Sequence, residues 1–132
     1  MKLLKKSLIL IVSPSVLYVW LFRFNSSSIF RGGEASNMVE EFAAYGLGEN
    51  AVYVVGAIKV LAALGLLGGL FDKRFILPSA IVMAVMMLGA LGMHFKIGDE
   101  AIKYVPSLVF FLMSLGIIFL DRDEKMKSLR SN

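Results

Sequence analysis

A small set of polar side chains in this chain of 132 residues could bind a ligand: Lys59, His94, Glu41 and Tyr53. Lys59 lies inside a long apolar run, Ala51–Phe71, where an ammonium group is costly and marks either a partner or a function. As a structural group, Lys59 would form an ion pair with Glu40 or Glu41. As a functional group, it would hold the carbonyl or the anionic head of a lipophilic ligand.

His94 is the only histidine, and the chain has no cysteine. These counts exclude paired histidine haem ligation, iron–sulfur clusters, cysteine zinc sites and disulfides, and no metal site is expected. Two interpretations of His94 stay open: a capped or interfacial histidine, or a proton-handling group beside a quinone-like ligand, since imidazole titrates near neutral pH. No nucleotide-binding glycine motif or Ser/His/Asp set is present, which disfavours a stand-alone enzyme.

The composition indicates a membrane protein, with 58% hydrophobic residues and a mean hydropathy of +0.75. Apolar runs occur at about 7–23, 51–71, 75–95 and 104–120. Backbone groups in lipid must be paired within the segment, so these runs predict helices. The short links 72–74 and 96–103 predict antiparallel hairpins. The expected fold is all-α: a single-domain integral membrane four-helix bundle with a short amphipathic helix between helices 1 and 2.

The two ends of the chain are basic. The first run follows the basic segment 1–6 and could be a cleaved signal peptide, but no small-x-small cleavage site follows, which favours a retained helix. Residues 121–132 mix both charges, so a solvated tail is expected rather than a nucleic-acid patch. In a four-span arrangement nine Lys and Arg residues lie on the side of the termini and four on the other. Both termini are therefore predicted to be cytoplasmic.

The link between the first two spans contains a helical pattern over Glu34–Tyr45, in which Met38, Phe42 and Tyr45 share one face. Gly46 is a plausible C-cap. We therefore expect an amphipathic helix at the outer mouth of the bundle. The remaining aromatic residues near span ends are interpreted, together with Tyr45, as interfacial anchors: Tyr18, Trp20, Tyr53 and Tyr104.

Small and flexible apolar residues occupy the predicted spans. Gly65 and Gly69 form a G-x-x-x-G pattern, which allows close helix packing within the chain or in a homodimer. Methionines cluster in the third span and either fill the core or line a flexible apolar pocket: Met83, Met86, Met87 and Met93.

Several blocks of the sequence stand out: Arg31-Gly32-Gly33, Phe42…Tyr45-Gly46-Leu47, Gly56-x-x-Lys59 through Leu67, Leu88-Gly89-Ala90…His94…Gly98-Asp99, and Val105-Pro106-Ser107-Leu108-Val109. Together they resemble the DoxX-like family of small four-helix membrane proteins, and the last three occur in the order and spacing expected of that family. The resemblance implies a four-helix bundle. Many proteins of that family have Glu where this chain has Lys59 and others have Lys, so a carboxylate role is not carried over to Lys59.

Some proteins of that family are named as subunits of quinone-linked oxidoreductases, and others are linked to membrane-protein assembly. The function expected here is an accessory or lipophile-binding subunit of a membrane redox system, with a quinone or other lipophile as ligand. The alternative is an assembly or scaffold factor that acts through its outer loop and small-residue helix faces. Expected partners are the lipid bilayer and a membrane protein or a second copy of the chain, but not nucleic acid.

Overall fold

The computed structural model describes residues 2–131, which form five α-helices and contain no strand. The α-helices are α1 (Leu3–Phe22), α2 (Met38–Ala44), α3 (Glu49–Gly68), α4 (Ile76–Lys96) and α5 (Val105–Ser131). Short 3-10 turns, Lys73–Phe75 and Ala101–Tyr104, precede α4 and α5. The all-α fold class predicted from the sequence is confirmed.

The four long helices pack in a ring. α1 contacts α3, α3 contacts α4, α4 contacts α5, and α5 returns to α1. Both predicted hairpins are present, because only a short turn separates α3 from α4 and α4 from α5. The short helix α2 packs against α3 and lies at one end of the ring, here called the α2 end. The opposite end, where the start of α1 meets the last turns of α5, is called the terminal end.

The surface of the bundle is apolar, as expected for a protein whose solvent is lipid. Large side chains such as Leu61, Val85 and Phe119 are exposed, whereas small or hydroxyl residues such as Ala63, Ala80 and Ser114 are buried. Each of the four long helices is long and apolar enough to cross a membrane. The chain is therefore a multi-pass integral membrane protein whose core combines small residues with large apolar ones.

The glycine pattern on α3 is used inside the chain. A Cβ atom at Gly65 would overlap the side chain of Ser79 on α4, and one at Gly69 would overlap Ile76. Near the other end of α3, a Cβ atom at Gly56 would lie 2.7 Å from the Trp20 ring. These contacts confirm the intramolecular interpretation of the G-x-x-x-G pattern, because both of its glycines allow α4 to approach α3.

The amphipathic helix is shorter than predicted, but its buried face is as expected. α2 begins at Met38 because the Asn37 side chain caps it, accepting a hydrogen bond from the Glu40 N–H at 2.8 Å. Met38, Phe42 and Tyr45 are all buried. Gly46 ends the helix with φ +86°, and the Leu47 N–H returns to the Phe42 carbonyl at 2.9 Å, which confirms the predicted C-cap.

At the terminal end both helices run past the predicted spans, and residues 125–131 of the tail are exposed, as expected for a solvated end. α5 continues to Ser131, and α1 begins at Leu3 instead of about residue 7. Lys5 is fully buried, and its Nζ lies 3.1 Å from Asp121 and 2.5 Å from Glu124. Because a buried cation requires counter-charges, this cluster extends both helices past the apolar runs and ties the start of α1 to α5.

Removing the cation of this cluster should destabilise the bundle. In Lys5→Met the carboxylates of Asp121 and Glu124 lose their shared partner, so we expect the free energy of unfolding in detergent to fall by about 3 kcal/mol. Lys6→Met is the matched control, because Lys6 is exposed, and its effect should stay within about 0.5 kcal/mol. Equal thermal stability of the two variants would show that the ion cluster does not stabilise the folded bundle.

Candidate functional site

A cavity of about 500 Å³ lies among the four long helices and α2, in the half of the bundle nearer the α2 end. Most of its wall is apolar and comes from all five α-helices. The main lining residues are Val16 and Trp20 of α1, Met38 and Phe42 of α2, Val55 and Lys59 of α3, Met86, Met87, Met93 and His94 of α4, and Ser107 and Phe110 of α5. Three of the four clustered methionines therefore line the cavity, and the fourth, Met83, is buried in the core.

Lys59 contributes to this cavity a charge that has no direct ion-pair partner among the described residues. Its Nζ lies 5.5 Å from the centroid of the Trp20 ring, a distance typical of a cation–π contact. Among residues 2–131, no oxygen atom is within hydrogen-bonding or ion-pairing distance of this Nζ. The ion pair with Glu40 or Glu41, one of the two sequence interpretations, is therefore not formed.

Glu41 also lines the cavity, but its carboxylate is already occupied by three donors. Arg31 Nη1 donates to Oε2 at 2.9 Å, while the Gly32 N–H at 3.1 Å and the Tyr45 hydroxyl at 2.7 Å donate to Oε1. Glu40 points away to the exposed side and accepts from the Ser36 N–H. These bonds explain why neither glutamate pairs with Lys59.

His94 is held in the cavity wall by a residue of the following turn. α4 ends at Lys96, Gly98 just beyond it has φ +67°, and the Asp99 N–H returns to the His94 carbonyl at 3.0 Å. This reversal brings Asp99 Oδ2 to 2.7 Å from His94 Nδ1. A carboxylate only accepts, so Nδ1 carries a proton, and Nε2 faces the Tyr45 hydroxyl at 3.5 Å.

The loop before α2 is held over the cavity by hydrogen bonds with Asp99, Lys103 and Arg31. Asp99 Oδ1 accepts from the Gly33 N–H at 2.9 Å, and Lys103 donates to the Gly33 carbonyl. Arg31 Nε donates to the Ser26 carbonyl at 2.8 Å. We call the six linked side chains the α2-end network: Arg31, Glu41, Tyr45, His94, Asp99 and Lys103. Gly32 allows the loop to lie close to Tyr45, since a Cβ atom at this position would lie 2.6 Å from the Tyr45 ring.

The pKa shifts of two groups in the network keep Tyr45 a hydrogen-bond donor and Asp99 an acceptor at neutral pH. Burial, together with the neighbouring charge of Glu41, raises the pKa of the Tyr45 hydroxyl, which therefore stays a donor. Burial acts to raise the pKa of Asp99 as well, but hydrogen bonds from His94 and the Gly33 N–H outweigh it and lower that pKa overall. Asp99 is consequently ionised at neutral pH and accepts from both groups.

The four predicted ligand-binding residues do not all meet. Lys59, His94 and Glu41 line the same cavity, whereas Tyr53 lies outside it on the surface. The Tyr53 ring stacks on Phe24, and its hydroxyl donates to Glu49 at 3.2 Å. Two predicted interfacial anchors were assigned wrongly: Trp20 and Tyr45 are buried, because one covers Lys59 and the other donates to Glu41.

The sequence interpretation did not identify the roles of Arg31, Tyr45 and Asp99. A usable signal exists for Asp99, because a histidine in the last helical turn followed four residues later by Gly and then Asp predicts a returning carboxylate. No comparable local pattern joins Arg31 to Glu41. Within residues 2–131, His, Asp and Glu side chains form no group of three that could hold a metal ion.

The fold and its cavity define a class: a small polytopic α-helical membrane protein with a largely apolar chamber capped by a polar network. The model of the DoxX-like family matches residues 14–117, and the chain belongs to this family. No match was found among curated proteins or among solved structures.

Loss of the Asp99 charge should release the loop from the end of the bundle. In Asp99→Asn the acceptor of the Gly33 N–H and of His94 is weakened, so we expect faster amide hydrogen exchange over residues 26–37 at neutral pH. Exchange is followed by mass spectrometry of the protein in detergent. Glu100→Gln is the matched control, because Glu100 is exposed.

The pH dependence of the wild-type protein follows from the lowered pKa of Asp99. A carboxylate with a lowered folded-state pKa stabilises the folded state above its ordinary pKa, and this contribution is lost as the pH falls through the folded value. The loop should therefore stay protected from neutral pH down to about 4, the ordinary range of aspartate. Rapid exchange of residues 26–37 in wild-type protein at pH 6 would contradict this role of Asp99.

Proposed function

We propose that the protein binds a lipophile with an oxygen-bearing head, such as a quinone, and serves as an accessory or ligand-binding subunit of a membrane redox system. One observation carries the proposal: a mainly apolar cavity of about 500 Å³ contains an ammonium group, on Lys59, without an acceptor among the described residues. Sites for small ligands commonly combine an apolar wall of this size with few polar groups.

The position of Lys59 suits a ligand that arrives from the lipid. Lys59 is ten residues into α3, or about 15 Å from its start at ~1.5 Å per residue. That depth is near the middle of a bilayer core of about 30 Å. Placing an ammonium group there is costly, and a bound head that accepts its hydrogen bonds would reduce this cost.

We propose that the ligand enters the cavity laterally, from the lipid. The α2-end network and its loop cover the end of the bundle that faces water. In contrast, Tyr18, Val19 and Val85 line the cavity and are also exposed on the apolar surface of the helices. A lipophile could therefore move from the bilayer to Lys59 without crossing water.

The orientation of the chain would place this opening in the outer leaflet. The basic residues are concentrated at the terminal end and in the turn between α3 and α4, which by the positive-inside rule is the cytoplasmic side. Both termini are then cytoplasmic, and α2 with its network faces the outer compartment.

The alternative proposal, an assembly or scaffold factor, has narrower support. Glu40 is exposed and could contact a partner protein, but Glu41 is engaged by Arg31. Of the small residues, Gly65 and Gly69 are covered by α4, whereas Gly92 on α4 is exposed and has free space around it. A partner or a second copy of the chain would therefore have to use α4 and the exposed part of the loop.

Narrowing the opening of the cavity should weaken lipophile binding. Gly89 lines the exposed edge of the cavity and has no neighbouring atom within 4 Å of a Cβ built there, so a leucine side chain in Gly89→Leu can narrow the opening without strain. We expect the affinity for a short-tailed quinone to fall at least about tenfold, equivalent to about 1.4 kcal/mol. Binding is measured by quenching of Trp20, the only tryptophan, with purified protein in neutral detergent.

Gly92→Leu provides the control, because Gly92 has the same free space on the same helix but does not line the cavity. Its affinity should equal that of the wild-type protein. If Gly89→Leu binds the quinone as tightly as Gly92→Leu does, the cavity is not the binding site. If the wild-type protein binds no lipophile, the proposed function itself is wrong.

A further inference from the structure

We infer that the natural ligand of the cavity is an anionic amphiphile, with a carboxylate or phosphate head at Lys59 and an apolar tail directed towards the lipid. This inference rests on the proposed function, since it specifies the ligand class of the same cavity. It states that the ligand head carries a negative charge, in contrast to a neutral head such as a quinone carbonyl.

Positive charge is in excess around the cavity. Four cationic side chains line it, Arg23, Arg31, Lys59 and Lys103, but only one carboxylate does, that of Glu41. Asp99 lies just behind the wall and is 3.8 Å from the Lys103 Nζ. The excess of positive charge therefore remains when every carboxylate near the cavity is counted as ionised.

The other cationic side chains around the cavity already have hydrogen-bond or ion-pair partners. Arg31 pairs with Glu41 at 2.9 Å, and Lys103 donates to the Gly33 carbonyl beside Asp99. Arg23 Nη2 donates to the Ser27 carbonyl at 3.0 Å. Lys59 alone among these four contacts no oxygen atom of the described residues, so it is the cation that a ligand would have to satisfy.

The Lys59 ammonium group is best satisfied by an acceptor that also compensates its charge. The Trp20 ring attracts the ammonium group but does not neutralise it, and such contacts contribute about 0.5–2 kcal/mol. A neutral carbonyl accepts one hydrogen bond and leaves the charge in place. An anionic oxygen both accepts the bond and compensates the charge, and charge-assisted hydrogen bonds are about twice as strong as neutral ones.

The shape of the cavity suits an apolar tail. The wall beyond Lys59 is formed by flexible or aliphatic side chains, including Met86, Met87, Val16 and Val55. The cavity also reaches the exposed residues Val19 and Val85, so a tail longer than the cavity can continue into the bilayer. Both a free fatty acid and an anionic phospholipid meet these requirements.

The test compares matched ligands that differ in head charge. Brominated hexadecanoate and brominated hexadecanol share one tail, and bromine quenches Trp20 when the tail occupies the cavity. At pH 8 in neutral detergent we expect the acid to bind wild-type protein at least about tenfold more tightly than the alcohol or a short-tailed neutral quinone, a difference of about 1.4 kcal/mol. Competition with short-chain phosphatidate shows whether a phospholipid head replaces the fatty acid.

Variants of Lys59 assign the preference to this residue. Lys59→Met should reduce the affinity for the acid to that for the alcohol, whereas Lys59→Arg should keep most of the preference for the acid. Lys73→Met is the matched control, because it removes an exposed lysine from the turn between α3 and α4 and should change nothing. Circular dichroism and size-exclusion profiles establish that the variants are folded.

The possible results separate the two proposals. If the alcohol or the quinone binds as tightly as the acid, the anionic ligand is ruled out while the lipophile-binding function stands. If no ligand binds, the proposed function fails. If the preference for the acid survives in Lys59→Met, then Lys59 does not recognise the head, and the inference is overturned. If Lys59→Met does not fold, the inference is decided by two other measurements: the ratio of the affinities for acid and alcohol in the wild-type protein, and the same ratio in Lys59→Arg.

Discussion

A charge placed inside this bundle cannot be solvated by its surroundings, because the surface of the four long helices is apolar and faces lipid. Each ion must therefore find its counter-charge within the chain. At the terminal end Lys5 is held by Asp121 and Glu124, and at the α2 end Arg31 is held by Glu41. Lys59 lies between these two clusters and has only the Trp20 ring beside it. The lack of solvation by lipid thus explains the ion pairs at both ends of the molecule. Lys59 is the exception, because it has no ion-pair partner among the described residues.

The architecture could be predicted from the sequence because it depends on signals that are local along the chain. Apolar runs long enough to cross a bilayer predict spans, and short links between them predict hairpins. The buried face of α2 followed from the spacing of Met38, Phe42 and Tyr45, and its end from Gly46. The start of α2 was missed by four residues because the signal is a single side chain, that of Asn37, which accepts from the Glu40 N–H.

The polar contacts were harder to predict because they join residues far apart in the sequence. Lys5 and Asp121 are separated by 116 positions, and nothing in either local sequence indicates the other. Lys59 and Glu41 were expected to pair because both are charged and near the outer mouth. Arg31 binds Glu41 instead, with Gly32 and Tyr45 supplying two further donors. Hydropathy and helical periodicity cannot rank such competing partners, since the choice depends on geometry that appears only after the helices have packed.

The position of the cavity follows from how the two ends of the bundle are packed. Towards the terminal end, Gly65 and Gly69 let α4 approach α3, and Gly116 lies against Leu8 of α1, so the helices close on one another. At the α2 end, α2 lies across the ring, and the network fixes its loop to the end of α4 and to Lys103. The space beneath is consequently covered on the side of water but bordered by exposed apolar residues on the side of lipid. Lys59 lines this space close to the exposed apolar residues, and this arrangement is the geometric basis of the proposal that its ligand is dissolved in the membrane.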